Sequence, residues 1–90
     1  MPQHRTVVES EQYSAERSAI NPSVKRMDEA LAGFTAVVSR LPESGRRVSD
    51  TNVWAWQVRL PDAEFMIYYT FDEDRAVLQS IVPGFSDRGD

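Results

Sequence analysis

Four arginines are the densest concentration of chemistry-bearing side chains in this sequence. Arg40, Arg46, Arg47 and Arg59 lie between residues 40 and 59, with only Glu43 and Asp50 against them. Guanidinium groups clustered in this way suit a phosphate backbone or an acidic protein segment, because each is a permanently charged planar fork of donors. The plainer alternative is a solvated loop with scattered surface ion pairs. Trp54, Trp56, Tyr68 and Tyr69 offer π-faces on which nucleobases could stack. Their alternation favours burial for the tryptophans, while Tyr68 shares a more open face with Met66 and Thr70. Asp72, Glu73 and Asp74 form a carboxylate run, but a tight turn between strands makes them a solvated hairpin tip before it makes them a general acid/base pair.

Other chemistries lack their residues. The chain has no cysteine and a single histidine, His4, so thiolate and His-rich metal sites and a disulfide framework are excluded. A carboxylate site for a hard cation has no ligand loop behind it. No Gly-rich phosphate loop and no Ser/His/Asp order with a nucleophile elbow is present. The expectation is a protein without a metal or small-molecule cofactor.

Charge is uneven. The net charge of −4 resolves into +1 over residues 1–59 and −5 over residues 60–90. The chain-wide balance opposes nonspecific nucleic-acid binding, so any such role needs the local arginine patch. Ninety residues, with 41% hydrophobic and 27% charged, make one folded domain with a modest core, spanning 1–90 and ordered over about 5–82. No apolar run is long enough to span a bilayer, and MPQHRTVVESEQ has no signal-peptide core, so a cytoplasmic location is expected.

The elements that must position these residues are legible in outline. Arg5–Val8 reads as a short β-branched strand. Ser10 is placed to cap a helix over EQYSAERSAI. Asn21 and Pro22 are start signals for a second helix. Val24, Met27, Leu31, Phe34, Val38 and Leu41 then recur at spacings of three and four, forming one apolar seam that ends at Pro42. Gly33, inside that helix, suggests a close approach of another backbone. Three strand-like runs follow, VWAWQVRL, EFMIYYTF and AVLQSIV, joined by PDA and DEDR. Period-two alternation puts Trp54, Trp56, Val58 and Leu60 opposite Gln57 and Arg59. It likewise puts Phe65, Ile67, Tyr69 and Phe71 opposite Met66, Tyr68 and Thr70, and Val77, Gln79 and Ile81 opposite Leu78, Ser80 and Val82. FSDRGD reads as a frayed tail. The fold class expected is α+β in the order β-α-α-β-β-β, an antiparallel sheet of about four strands with a helical hairpin packed on one face.

That order, together with LPESG after the helix, FMIYYTFDED and AVLQSI, resembles the RelE/ParE superfamily of bacterial type II toxins over roughly residues 5–82. The resemblance implies a growth inhibitor neutralised by a cognate antitoxin that wraps it. RelE-like members cleave mRNA on the ribosome, and ParE-like members act on DNA gyrase. Tyr69 matches the family's strand tyrosine, and Arg59 lies where members carry a basic residue before the turn. Met66 stands at the family's strand arginine, Pro83-Gly84 follows where RelE-like members place His-Arg, and no C-terminal tyrosine follows. Whether the chain is an enzyme stays open on this basis. As a nuclease it would bind RNA phosphates through Arg46, Arg47 and Arg59, with Tyr68 stacking or assisting proton transfer. The set expected to bind RNA or a partner is Arg40, Arg46, Arg47, Arg59, Met66 and Tyr68, with Arg59 and Tyr68 the catalytic candidates. The alternative is a non-catalytic protein-interaction module, or a non-toxic diverged member, on the same scaffold.

Overall fold

A computed structural model describes residues 5–20, 27–60 and 63–83. The elements are β1 (Thr6–Glu9), α1 (Glu11–Ala19), α2 (Met27–Arg40), a 3-10 turn (Pro42–Ser44), β2 (Arg46–Arg47), β3 (Trp54–Leu60), β4 (Ala63–Phe71) and β5 (Arg75–Pro83). The strands form one sheet in the order β1-β5-β4-β3-β2. β1 runs parallel to β5 and all other pairs are antiparallel. The class is α+β, with five strands where about four were expected. The additional strand is the two-residue β2, whose Arg-Arg sequence carries no apolar alternation to announce it.

Helix α1 begins where its cap predicts: Ser10 Oγ accepts a hydrogen bond from the Tyr13 amide at 3.0 Å. The expected cap and first turn of the second helix, Asn21 and Pro22, and the seam residue Val24 lie outside the described residues, as does the expected tail. From Met27 onward the seam holds: Leu31, Phe34 and Val38 are buried. Leu41 does not belong to it. Pro42 ends the helix one residue earlier, and Leu41 is left 62% exposed.

The core lies between the two helices and one face of the sheet. Tyr13, Leu31, Phe34 and Val38 meet Val58, Phe65, Ile67, Tyr69, Ala76, Leu78 and Ile81. Phe34 is its aromatic centre, with ring centroids 5.5 Å from both Trp56 and Tyr69. Trp54 and Trp56 pack from the sheet margin and stay partly exposed.

Strict alternation fails in β5. Tyr68 pairs with Ser80 and Tyr69 with Leu78, so Gln79 is the extra residue of a β-bulge. The bulge resets the phase of the strand, which lets Leu78 and Ile81 both reach the core and sends Gln79 to bond Thr70 Oγ1 at 3.1 Å. Beyond the end of β1, the margin of β5 is held by α1. Glu16 Oε1 accepts from Ser80 Oγ at 2.7 Å and from the Ile81 amide at 3.0 Å.

Gly33, inside α2, and Gly45, just beyond the 3-10 turn, differ in what surrounds them. Gly33 sits in open space, with nothing within 4 Å of a Cβ built there, so the close approach expected at that point is absent. It occurs at Gly45 instead. There a Cβ would overlap the Tyr69 hydroxyl and come within 2.7 Å of the Ala55 carbonyl oxygen.

Candidate functional site: the open face of the sheet

Both helices pack on the same side, so the opposite side of β3, β4 and β5 carries no covering element among the described residues. Strand register decides which side chains gather there. Arg46 pairs with Ala55 and Ala55 with Tyr68, forming one cross-strand row. Gln57, Met66 and Val82 form the next row. Thr70, Val77 and Val8 form a third on the far side, where Gln79 joins Thr70. Met66, Tyr68, Thr70, Val77 and Val82 are half-buried, and Gln57 is exposed. Ala55 is the small residue in the first row, so Arg46 and Tyr68 flank a dip about 10 Å across at the Cα level, two strand spacings.

A shallow cleft of about 380 Å³ opens beside that row, lined by Ser44, Gly45, Arg46, Ala55, Gln57 and Met66 among others. Its rim exists because the chain enters β2 through Gly45 directly from the 3-10 turn at Pro42, which is buried against the core. There the Tyr69 hydroxyl donates to the Pro42 carbonyl at 2.5 Å. Burial pushes the Tyr69 hydroxyl pKa up, the Gly45 backbone opposes that rise, and Glu43 adds to it. Tyr69, the match to the family's strand tyrosine, is thus wholly buried and holds the rim of the cleft from beneath.

The expected site residues do not gather in one place. Arg46, Met66 and Tyr68 share the open face and adjacent rows. Arg59 is on that face but four residues along β3 from Ala55, which puts it about 14 Å from Tyr68. It lies opposite Glu64 and donates through Nη2 to Gln57 Oε1 at 3.4 Å. Arg47 pairs with Trp54, which turns it to the helix side, and its Nε donates to the Thr51 carbonyl at 2.9 Å. Arg40 is exposed in the last turn of α2. Of the three guanidiniums expected to meet a phosphate backbone together, one stands beside Tyr68. Val77, Val82 and the Gln79–Thr70 pair extend the face beyond the expected set. Alternation already puts Thr70 on this face with Met66 and Tyr68, but it groups Val82 with the buried Leu78, because the bulge shifts the phase of β5 between them.

Electrostatically, the carboxylate turn belongs elsewhere. Asp72 Oδ1 accepts from the Asp74 and Arg75 amides at 2.8 Å each, which holds its pKa below the ordinary value and closes the hairpin. Among the described residues no three His, Cys, Asp or Glu side chains are grouped to hold a metal ion. Among the described residues no helix is long and apolar enough to cross a membrane. No family model and no curated protein matches this sequence.

Proposed function

We propose that this protein is a toxin-like growth inhibitor of the RelE/ParE type. In this reading it acts by binding a large cellular target, the ribosome with its mRNA or DNA gyrase, and a cognate antitoxin holds it inactive. The observation that carries the reading is the one-sided architecture. Both helices cover one face of the sheet, and the other presents Arg46, Tyr68, Met66 and Gln57 in neighbouring rows. The β-α-α-β order and the LPESG, FMIYYTFDED and AVLQSI stretches support the family side of it.

Binding is favoured over cleavage. Phosphodiester cleavage needs positive charge concentrated where the transition state becomes anionic. Here Met66 occupies the centre of the face, Arg47 is turned away, and Arg59 is bonded to Gln57 at the hairpin end. A half-buried tyrosine and methionine edged by one arginine resemble a protein-binding hot spot more closely than a nuclease centre.

The test is induction of the protein alone in bacteria. Growth arrest, relieved by Arg46→Ala and by Tyr68→Ala at undiminished expression, is the expected result. Unimpaired growth at good expression would sink the toxin reading and leave the non-toxic interaction module. Mapping of mRNA 5′ ends and a gyrase–DNA breakage assay then separate the two targets. New 5′ ends within codons would reinstate the nuclease.

A further inference from the structure

The sheet has an open edge as well as an open face. β2 pairs with β3 only at Ala55 and Trp54, and among the described residues no strand follows it alongside Trp56–Leu60. The Val48 amide donates to the Val53 carbonyl at 2.8 Å, which sets the phase of the ladder on that side. Backbone groups alternate in direction along a strand, so the N–H and C=O of Ala55, Gln57 and Arg59 point the same way as those of Val53. Ala55 meets Arg46. Among the described residues, Gln57 and Arg59 are left presenting two donors and two acceptors at the edge.

We propose that this edge pairs with the same edge of a second copy of the chain, antiparallel and with the two-fold axis at Val58. The sequence Trp56-Gln57-Val58-Arg59-Leu60 is close to self-complementary about its centre. In this register each Gln57 exchanges both backbone hydrogen bonds with Arg59 of the second copy, so all four edge groups are satisfied. Shifting the axis to Arg59 would oppose two guanidiniums, a destabilising pair. Shifting it to Gln57 would set Arg59 against Ala55, whose edge Arg46 already occupies. Charge and hydrogen bonding therefore select one register. On the helix side, half-exposed Trp56 meets Leu60 of the second copy.

The axis is perpendicular to the sheet, so the two open faces become one continuous surface. Arg59 of the second copy lands beside Gln57, two positions along the same column from Arg46, about 7 Å away. The arginines that lie apart within one chain become neighbours across two.

Sedimentation equilibrium of the full chain over a concentration series tests this. The expected mass is twice 10.2 kDa at high concentration. Because the Gln57 N–H points outward, Gln57→Pro removes an intersubunit bond and spares the ladder to β4. It is expected to be folded by circular dichroism and monomeric. The chain has no cysteine, so the double variant Gln57→Cys/Arg59→Cys is expected to form intermolecular disulfides, because in this register each of these exposed positions faces the other on the second copy, at a Cα spacing of about 5.5 Å. Gln57→Cys, which faces Arg59, is expected not to cross-link to itself. Three results would overturn the proposal: a wild-type mass of 10.2 kDa at every concentration, an unchanged dimer in folded Gln57→Pro, or a dimer that Gln57→Cys/Arg59→Cys fails to cross-link. If Gln57→Pro does not fold, the two cysteine variants decide.

Discussion

The hydroxyl of Tyr69 on β4 donates to the carbonyl of Pro42, the residue that ends α2, across 27 positions of sequence. This buried bond fastens the helix exit to the sheet and so sets where β2 can begin. Removing the donor leaves a buried carbonyl without its partner, at a cost of about 1–3 kcal/mol. Tyr69→Phe is expected to lower the unfolding free energy by that amount, read as a lower urea midpoint at an unchanged m-value in equilibrium denaturation followed by tryptophan fluorescence.

Gly45 and Gly33 are expected to respond in opposite senses to alanine. At Gly45 the added methyl collides with the Tyr69 hydroxyl and the Ala55 backbone, and overpacking of this kind costs about 1–3 kcal/mol. At Gly33 the methyl enters open space on a helix, where the substitution is worth about 0.4–1 kcal/mol in favour of the folded state. Paired thermal melts of Gly33→Ala and Gly45→Ala should move apart in sign.

Phe34 touches both Trp56 and Tyr69 and is almost fully buried. Truncation to alanine is expected to cost about 3–5 kcal/mol, a large share of what a domain of this size possesses. Loss of the near-ultraviolet circular dichroism of the tryptophans would register it. A native-like spectrum with unchanged denaturation would contradict the packing described.

Glu16 carries a defined part of the acid sensitivity. Its hydrogen bonds from Ser80 and then from the Ile81 amide hold its pKa below the ordinary 4.5. A carboxylate depressed in the folded state contributes stability that is fully present above the unfolded value and is lost as pH falls through the folded one. The contribution is therefore complete at neutral pH and disappears progressively below about pH 4.5. Asp72, depressed from 3.8 by the Arg75 and Asp74 amides, adds to the same acid limb. Glu16→Gln should flatten that limb in a series of denaturation curves between neutral and acid pH. Hydrogen exchange at the Ile81 amide should also rise at neutral pH.

Arg46 and Arg47 are adjacent in sequence and opposite in orientation. If the open face is the binding surface, Arg47→Ala is expected to leave growth arrest intact while Arg46→Ala relieves it. Equal effects of the two at matched expression would point to the loop as a whole and away from the face.

Much of the architecture was legible because it rests on local rules. Ser10 capped its helix, Pro42 stopped the next, and Leu31, Phe34 and Val38 went inside because a 3.6-residue period admits one apolar side. β3 and β4 obeyed their alternation, which put Val58, Ile67 and Tyr69 in the core and Met66 and Tyr68 outside it. Leu41 and Gly33 misled for a shared reason. Each was assigned a role from its position along one helix, and the role depended on what lay across from it.

The candidate site was less legible, because a site is made by neighbours that are remote in sequence. Composition and spacing by themselves determined that Arg46, Arg59, Met66 and Tyr68 lie on or beside strands and that no thiol or histidine cluster can form. Only the tertiary structure decided that Arg46 stands in the row of Tyr68, that Arg47 turns to the other side, and that Gln79 is a bulge that re-aims the end of β5. Register is chosen by the global fit of sheet to helices and by turns such as the one at Gly45. A slip of one residue inverts every side chain in a strand. The physical reason is that alternation specifies two faces and leaves open which partner each residue meets across them.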